Sequence, residues 1–360
     1  MNRLLKVTGA ILLVALSYLL FWPVPIEPVA WHAPEDRGLV DPFLPNDQLQ
    51  AATTIDLQSF EGPEDATLGH DNSVYVTTSS GHVLRIRNRK VEKFALVGGR
   101  PLGIEAAKDG SLVIANAYSG LQRIDASGDI STLLGSIDGA TPVYPNNLAL
   151  AHDGRIYFSE ASSKFGAEKY RGTYDASLLD IMEHGGHGSV IEFDPASGIA
   201  TMILDGLNYA NGVAISDDNQ FIVVAETGSY RVLKHWLAGP RRGETEILLE
   251  NLPGFPDNIK TGRNGRFWLG LAAPRNALLD RVSDKPWLRK VIQRLPAAVR
   301  PKAVPSSHVI AFNGQGDILM NMHEPNARFP TLTGVLETDR ALYLTTLFGG
   351  QLPVVAKSDL

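Results

Sequence analysis

Six short segments of this chain share one layout, and a chain that repeats a hairpin unable to bury both its faces alone has few folds open to it. Each has a small or turn-like entry, a strand, a tight turn and a second, apolar strand. With Glu64, Leu102, Asn146, Asn211, Asp257 and Thr333 aligned at position zero, the next residues are Asp65, Gly103, Asn147, Gly212, Asn258 and Gly334, all small or turn-prone. Position two holds Ala66, Ile104, Leu148, Val213, Ile259 and Val335, apolar in every copy. At positions seven and eight stand Asp71-Asn72, Asp109-Gly110, Asp153-Gly154, Asp218-Asn219, Asn264-Gly265 and Arg340-Ala341. All but the last are tight-hairpin dipeptides or close relatives of them.

The starts differ by 38, 44, 65, 46 and 76 residues. A propeller blade absorbs such differences by lengthening a loop, whereas a β-solenoid coil tolerates them poorly. The expected fold is therefore all-β, a six-bladed β-propeller over residues 51–360. Within the longest gap, Trp287-Leu288 and Val291-Ile292 recur at helical spacing, so Asp284 to Arg300 reads as a short helical insertion. The closing blade runs out of chain after one or two strands, and Thr53 to Leu57 is placed to supply the missing one.

No side chain from Val7 to Ile26 is charged, a run of the length a helix needs to cross a bilayer, about 20 residues. Arg3 and Lys6 precede it, while Glu27, Glu35 and Asp36 follow. By the positive-inside rule the N-terminus is cytoplasmic and the propeller lies on the outer side, periplasmic if the source is bacterial. No small-x-small cleavage site follows the apolar core, so residues 1–26 read as an uncleaved anchor rather than a signal peptide. Proline-rich residues 27–50 read as a stalk.

The 360 residues contain no cysteine, which removes disulfides, thiolate metal sites and a cysteine nucleophile together. A net charge of −6 specifies no partner and disfavours nucleic acid. The expected partners are a small-molecule substrate and the membrane, with no obligate protein partner evident. No Gly-x-Ser-x-Gly elbow, His-Glu-x-x-His pair or phosphate loop is present, which disfavours serine hydrolases, zincins and nucleotide enzymes. His187 and His323 read as loop or packing residues.

Equivalent strand starts of a propeller meet around its axis, so position zero becomes a ring of Glu, Leu, Asn, Asn, Asp and Thr with Asn258 beside the Asp. Two carboxylates with several amides, and no histidine or cysteine, suit one calcium ion better than zinc. Asn and Asp at strand entries are, taken singly, ordinary turn formers. Their coincidence at one repeat position points to a metal centre. At position four the other copies have Leu68, Ala106, Leu150, Ile215 and Thr261, whereas the last has Glu337. Glu337 is either a general acid or base or a carboxylate paired to a buried Arg or Tyr; the sequence leaves both open.

Several stretches carry a resemblance to calcium-dependent six-bladed propellers: Gly62-Pro63-Glu64, Asn146 with Gly154 to Phe165, Gly188 to Pro195, Ala210-Asn211-Gly212-Val213, Gly254 to Ile259, Pro286-Trp287-Leu288 and Glu337 to Phe348. The chain resembles the gluconolactonases with senescence marker proteins, the paraoxonases and, most of all, the strictosidine synthase-like group with the adipocyte plasma membrane-associated proteins. That resemblance implies Glu64, Asn146, Asn211, Asp257 and Asn258 as calcium ligands, and matches Glu337 to the region of a catalytic glutamate. Leu102 stands where paraoxonases have histidine, so their histidine-assisted mechanism does not carry over. The implied activity is calcium-dependent hydrolysis of lactones or aryl esters, with Asp257 or Glu337 assisting water. The alternatives are amine–aldehyde condensation of the strictosidine synthase type and a non-catalytic ligand-binding propeller with structural calcium.

Overall fold

The computed structural model describes residues 2–137, 139 and 141–360. Its body is six four-stranded antiparallel sheets, whose first strands are Ala66–Leu68, Pro101–Ala106, Pro145–Leu150, Ala210–Ile215, Gly254–Thr261 and Leu332–Glu337. Every segment aligned in the sequence opens one of these blades. Each first strand packs against the first strand of the next blade, and the sixth against the first, which closes a ring around one axis. The six-bladed propeller is thus the observed fold.

The tight turns explain the dipeptides. Asn72, Asn219 and Asn264, with Gly110 and Gly154, have positive φ, the conformation that Asn and Gly adopt at least strain. The core lies between blades rather than at the axis. Val223, Val232, Phe267 and Phe312 join blades 4 and 5, and Val113, Leu121, Phe158 and Ile191 join blades 2 and 3. Both faces of an inner strand are therefore covered, so Leu112–Asn116 and Ile156–Glu160 are buried throughout. Thr53–Asp56 pairs antiparallel with Gln351–Ala356, Ile55 opposite Leu352, and completes blade 6 from the N-terminal side as expected.

Helix α1 (Asn2–Phe21) ends before the uncharged run does. Among the described residues no helix is long and apolar enough to cross a membrane, so the fold does not establish the expected span. Ile26, read as its last residue, is instead fully buried in the body. Residues 27–50 do not stand off as a stalk but lie along the propeller. Val29 N–H donates to Glu183 O at 2.9 Å, Trp31 stacks on His184 with centroids 3.9 Å apart, and Leu49 N–H donates to His323 O at 2.9 Å. The prolines that suggest a spacer also suit an extended strap, since they present no N–H that needs a partner.

Three helices rise from the blades. Helix α2 (Thr173–Glu183) interrupts blade 3 between its second and third strands; α3 (Ala277–Arg281) and α4 (Pro286–Arg294) interrupt blade 5. The α4 insertion was expected within Asp284 to Arg300. Helix α2 was not, because its buried face includes Thr173, Asp180 and Glu183 beside Ala176, Leu179 and Met182, which dilutes the apolar periodicity.

Candidate metal centre and cleft

The first strands are deformed where they enter the ring. Pairing with the second strand shifts register between Pro101 and Ile104, Pro145 and Leu148, Ala210 and Val213, Pro256 and Ile259, and Leu332 and Gly334. Position zero lies inside each interruption, and such a bulge bends a strand and re-aims its side chains. Glu64 sits just ahead of its strand, held by its N–H to Thr77 O at 3.3 Å. Glu64, Leu102, Asn146, Asn211 and Asp257 consequently line one cleft of about 800 Å³, its open mouth included. Thr333 is spent elsewhere: its hydroxyl donates to Glu64 O at 2.6 Å and ties blade 6 to blade 1.

The polar floor is under-satisfied. Glu64 Oε2, Asn146 Oδ1 and Asn211 Oδ1 are buried with no hydrogen-bond partner among the described residues. Native proteins seldom leave such atoms bare, and three around one cleft call for a shared partner. Burial, and then the nearby Asp257 carboxylate, pushes the Glu64 carboxyl well above its ordinary range. Burial also pushes Asp257 up, while the neighbouring Asn211 amide draws it partly back. Two carboxyls penalised for holding charge, with two amide oxygens lacking donors, form an oxygen-only set that fits a hard divalent cation.

Position one forms a second ring directly beneath, where Asp65, Asn147 and Asn258 alternate with Gly103, Gly212 and Gly334. The polar side chains reach across to other blades: Asp65 accepts from Ile104 N–H at 2.9 Å and Asn147 Oδ1 from Val213 N–H at 3.0 Å. The glycines make room. A Cβ at Gly212 would lie 2.2 Å from Ile259 N and 2.5 Å from Asp257 O. Lys260 closes the axis, its ammonium 2.9 Å from Asp65 Oδ2 and 2.8 Å from Glu105 Oε1.

This layering sets Asn258 apart from the other four residues that the resemblance implies as ligands. Asn258 Nδ2 donates to Glu64 O at 3.0 Å and Oε1 at 3.2 Å, and Asn258 Oδ1 accepts from Asn147 Nδ2 at 3.2 Å. Both ends of the amide are engaged, and Asn258 braces Glu64. Glu337 is corrected. It lies four residues along its strand from Thr333, at about 3.3 Å per residue some 13 Å away, and is not among the cleft's lining residues. Lys357 Nζ at 2.6 Å, Trp268 Nε1 at 2.8 Å and Arg263 N–H at 3.0 Å surround its carboxylate. Burial pushes that carboxyl up, but these donors outweigh it and hold it below the usual range. Of the two readings open from sequence, the paired carboxylate is the observed one, with Lys and Trp as partners.

The walls come from residues that sequence reasoning passed over. Two residues before position zero stand Gly62, Arg100, Tyr144, Tyr209, Phe255 and Thr331, and strand periodicity turns them to the same side one level higher. Tyr144, Tyr209, Phe255 and Thr331 line the cleft, and Gly62 and Arg100 line an adjoining cavity. Thr173, Tyr174, Ser177, Leu178 and Ile181 of α2 face the same cleft, with Leu279 of α3 and Pro301 to Ala303. Tyr144 donates to Thr173 O at 2.7 Å and its oxygen meets the Tyr209 hydroxyl at 2.5 Å, which fixes α2 to the wall. The period-two pattern was available in the sequence; the helix was not.

Fold and site together define a six-bladed propeller with an oxygen-lined centre at one end of its axis. The strictosidine synthase family matches residues 146–240, and the N-terminal region of strictosidine synthase-like proteins matches residues 41–86. Human adipocyte plasma membrane-associated protein is 31% identical over 374 aligned positions, covering 95% of this chain and 88% of its own length. The chain belongs to this strictosidine synthase-like, adipocyte plasma membrane-associated protein family. Among solved structures it is similar to a gluconolactonase from Xanthomonas campestris, at a TM-score of 0.63 and 19% identity over 92% of this chain and 98% of that one. It is also similar to the calcium-binding protein regucalcin from Agrobacterium tumefaciens, at a TM-score of 0.58 and 12% identity over 85% and 94%. Those two likenesses concern the fold.

Proposed function

We propose that this protein is a calcium-dependent hydrolase of lactones or aryl esters, held at a membrane by its N-terminal helix. One observation carries the reading: bare oxygens of Glu64, Asn146 and Asn211 meet Asp257 on the floor of a cleft with apolar walls. These four residues would hold the ion. When bound, a divalent cation supplies Lewis acidity toward a substrate carbonyl and its developing negative charge.

The chain's own residues account for the rest. Leu102, Phe255, Leu178, Ile181 and Leu279 offer an apolar berth for an acyl or aryl group and exclude water from it. No histidine lines the cleft among the described residues, so proton transfer falls to a carboxylate. Asp257, beside Asn211 on the cleft floor, takes the proton of the attacking water. The named gluconolactonase and calcium-binding relatives support the direction of this reading.

The strictosidine synthase family match motivates a second reading, amine–aldehyde condensation. Glu337 is too far from the cleft to serve it, so Asp257 or Glu64 would be the base. The anchor is supported by the exposed apolar side chains of α1, among them Leu5, Ile11, Leu12, Leu13 and Val14, and by the membrane association in the relatives' name.

Metal analysis of the purified protein, followed by a lactone and aryl-ester panel with and without chelator, tests the hydrolase. Asp257→Ala is expected to lose both ion and turnover; turnover that persists in that variant in metal-free buffer sinks the reading. Condensation of tryptamine with an aldehyde, without ester hydrolysis, would select the second reading. A bound ion with no turnover in either assay would leave a binding propeller. Carbonate extraction that releases the full chain from membranes would refute the anchor.

A further inference from the structure

We propose that Arg100 and the first turn of α2 form a binding subsite for a carboxylate or phosphate oxyanion, beside the cation centre and separate from it. Arg100 is only 7% exposed. Among the described residues its guanidinium makes no hydrogen bond or ion pair, and Nη1 is buried without a partner. Arginine side chains at such depth are ordinarily paired, because an uncompensated buried charge is costly. This one faces a cavity it lines with Gly62, Ser79, Gly172, Thr173 and Tyr174.

The surroundings favour an anion on independent grounds. Helix α2 has eleven residues and starts at this cavity, and its N-cap, Gly172, provides no side-chain acceptor. The first N–H groups of a helix have no partner inside it and carry the positive end of its dipole. Gly62, at the position equivalent to Arg100 in the first blade, lines the same cavity without a side chain, and Leu347 O and Ser79 stand where its Cβ would be. Arg171 stands at the rim, paired with Asp175 at 3.2 Å. Asp175 and Glu61 are the carboxylates of the cavity: the first has Arg171, and the second is exposed to solvent.

Charge balance points the same way. If the four-residue centre holds a divalent ion, as proposed above, Glu64 and Asp257 neutralise it, and Asp65 is already paired with Lys260. Arg100 lies near enough to Glu64 to favour its charged form, and with that carboxylate engaged by the ion the guanidinium has no carboxylate of its own. The two cavities share Thr173, Tyr174 and Leu347 as a common wall. A ligand anchored here by its anionic group therefore sits next to the cleft, and a substrate or product bearing such a group is the class this arrangement selects.

The test uses the full purified chain with calcium, titrated with acetate and with methylphosphonate at ionic strength held by chloride, and read by calorimetry and thermal melting. At least one probe is expected to bind and raise the melting temperature, and the stronger of the two distinguishes carboxylate from phosphate. Arg100→Gln should weaken it about tenfold or more, the effect of removing a charge-assisted contact, while Arg100→Lys retains part. Without probe, Arg100→Gln should melt no lower than the parent, since it removes an unpaired buried charge. Absence of binding by the parent, or equal binding by Arg100→Gln, overturns the proposal. So does a markedly lower melting temperature of Arg100→Gln, which would mark Arg100 as the standing counter-charge of Glu64. Repeating the titration with chelator separates the two readings: anion binding that survives when metal analysis finds no ion keeps the subsite and refutes the metal centre.

Discussion

Replacing Glu337 by Gln separates a catalytic carboxylate from a structural one. Glutamine keeps an oxygen for Trp268 Nε1 and Arg263 N–H but turns an NH2 group toward the Lys357 ammonium, so the 2.6 Å bond to Lys357 is lost. A hydrogen bond to a charged group contributes about 1.5–3 kcal/mol, and partial exposure of Lys357, at 29%, weakens that by solvent screening. The expected loss is about 2 kcal/mol. With an unfolding entropy of about 2.1 cal/mol/K per residue across residues 51–360, the melting temperature should fall by on the order of 3 °C. Because the folded protein holds this carboxyl below its ordinary range, its contribution is complete above that range and is lost as acid protonates it. The gap between parent and variant should therefore close on acidification. Calcium affinity and turnover should be unchanged, since the substitution is some 13 Å along the strand from the cleft floor. A variant that melts like the parent yet loses turnover would refute this placement of Glu337.

Two further outcomes follow from the centre itself. Glu64 and Asp257 favour their protonated forms in the metal-free fold, so the apo protein should lose stability as pH rises above the ordinary carboxylate range, and calcium should restore it; an apo melting curve flat from acid to neutral pH would contradict this. Gly212→Ala drives a Cβ to 2.2 Å from Ile259 N and should cost about 4 kcal/mol or more in denaturant unfolding, whereas Gly110→Ala, with nothing within 4 Å but a φ of +85°, should cost only about 1 kcal/mol. Comparable losses in the two variants would mean that the second ring is looser than described.

The architecture was legible because the repeat encodes it locally. Apolar residues at position two in all six copies, and tight-turn dipeptides at positions seven and eight in five of them, mark where the hairpins start and turn, and those are local backbone requirements. Thr53 to Leu57 could be assigned to the closing blade because the count of strands fell short. The four oxygen-bearing residues were legible for a different reason, since a ring turns one repeat position into one place. Glu337 misled for the same reason, and Asn258 carries the same ambiguity. A carboxylate or amide near the axis looks identical in sequence whether its oxygens are bare or already bonded, and only partners such as Asn147 and Lys357, distant in the chain, decide. Helix α2 was hidden because its buried face carries acids. The strap from 27 to 50 was hidden because proline suits an extended chain equally well in solvent and against a surface.

One strand therefore does several jobs at successive levels, and the levels constrain each other. Position zero can keep bare oxygens only if the residues beneath it hold the ring rigid without donating to them, and the alternation of Asp65, Asn147 and Asn258 with three glycines does this. Each polar side chain spends its bonds sideways, on Ile104 N–H, Val213 N–H or, for Asn258, Glu64 O and Oε1, which leaves Glu64 Oε2 bare. Six side chains at that level would collide, as the 2.2 Å approach at Gly212 shows, and six glycines would leave the floor without support. The level above is free of that restraint, which is why it can carry tyrosines in two blades and an unpaired arginine in a third. Variation at positions 100, 144 and 209 should thus change what is bound while the ion stays in place, and variation at 65, 147 and 258 should disturb the ion first.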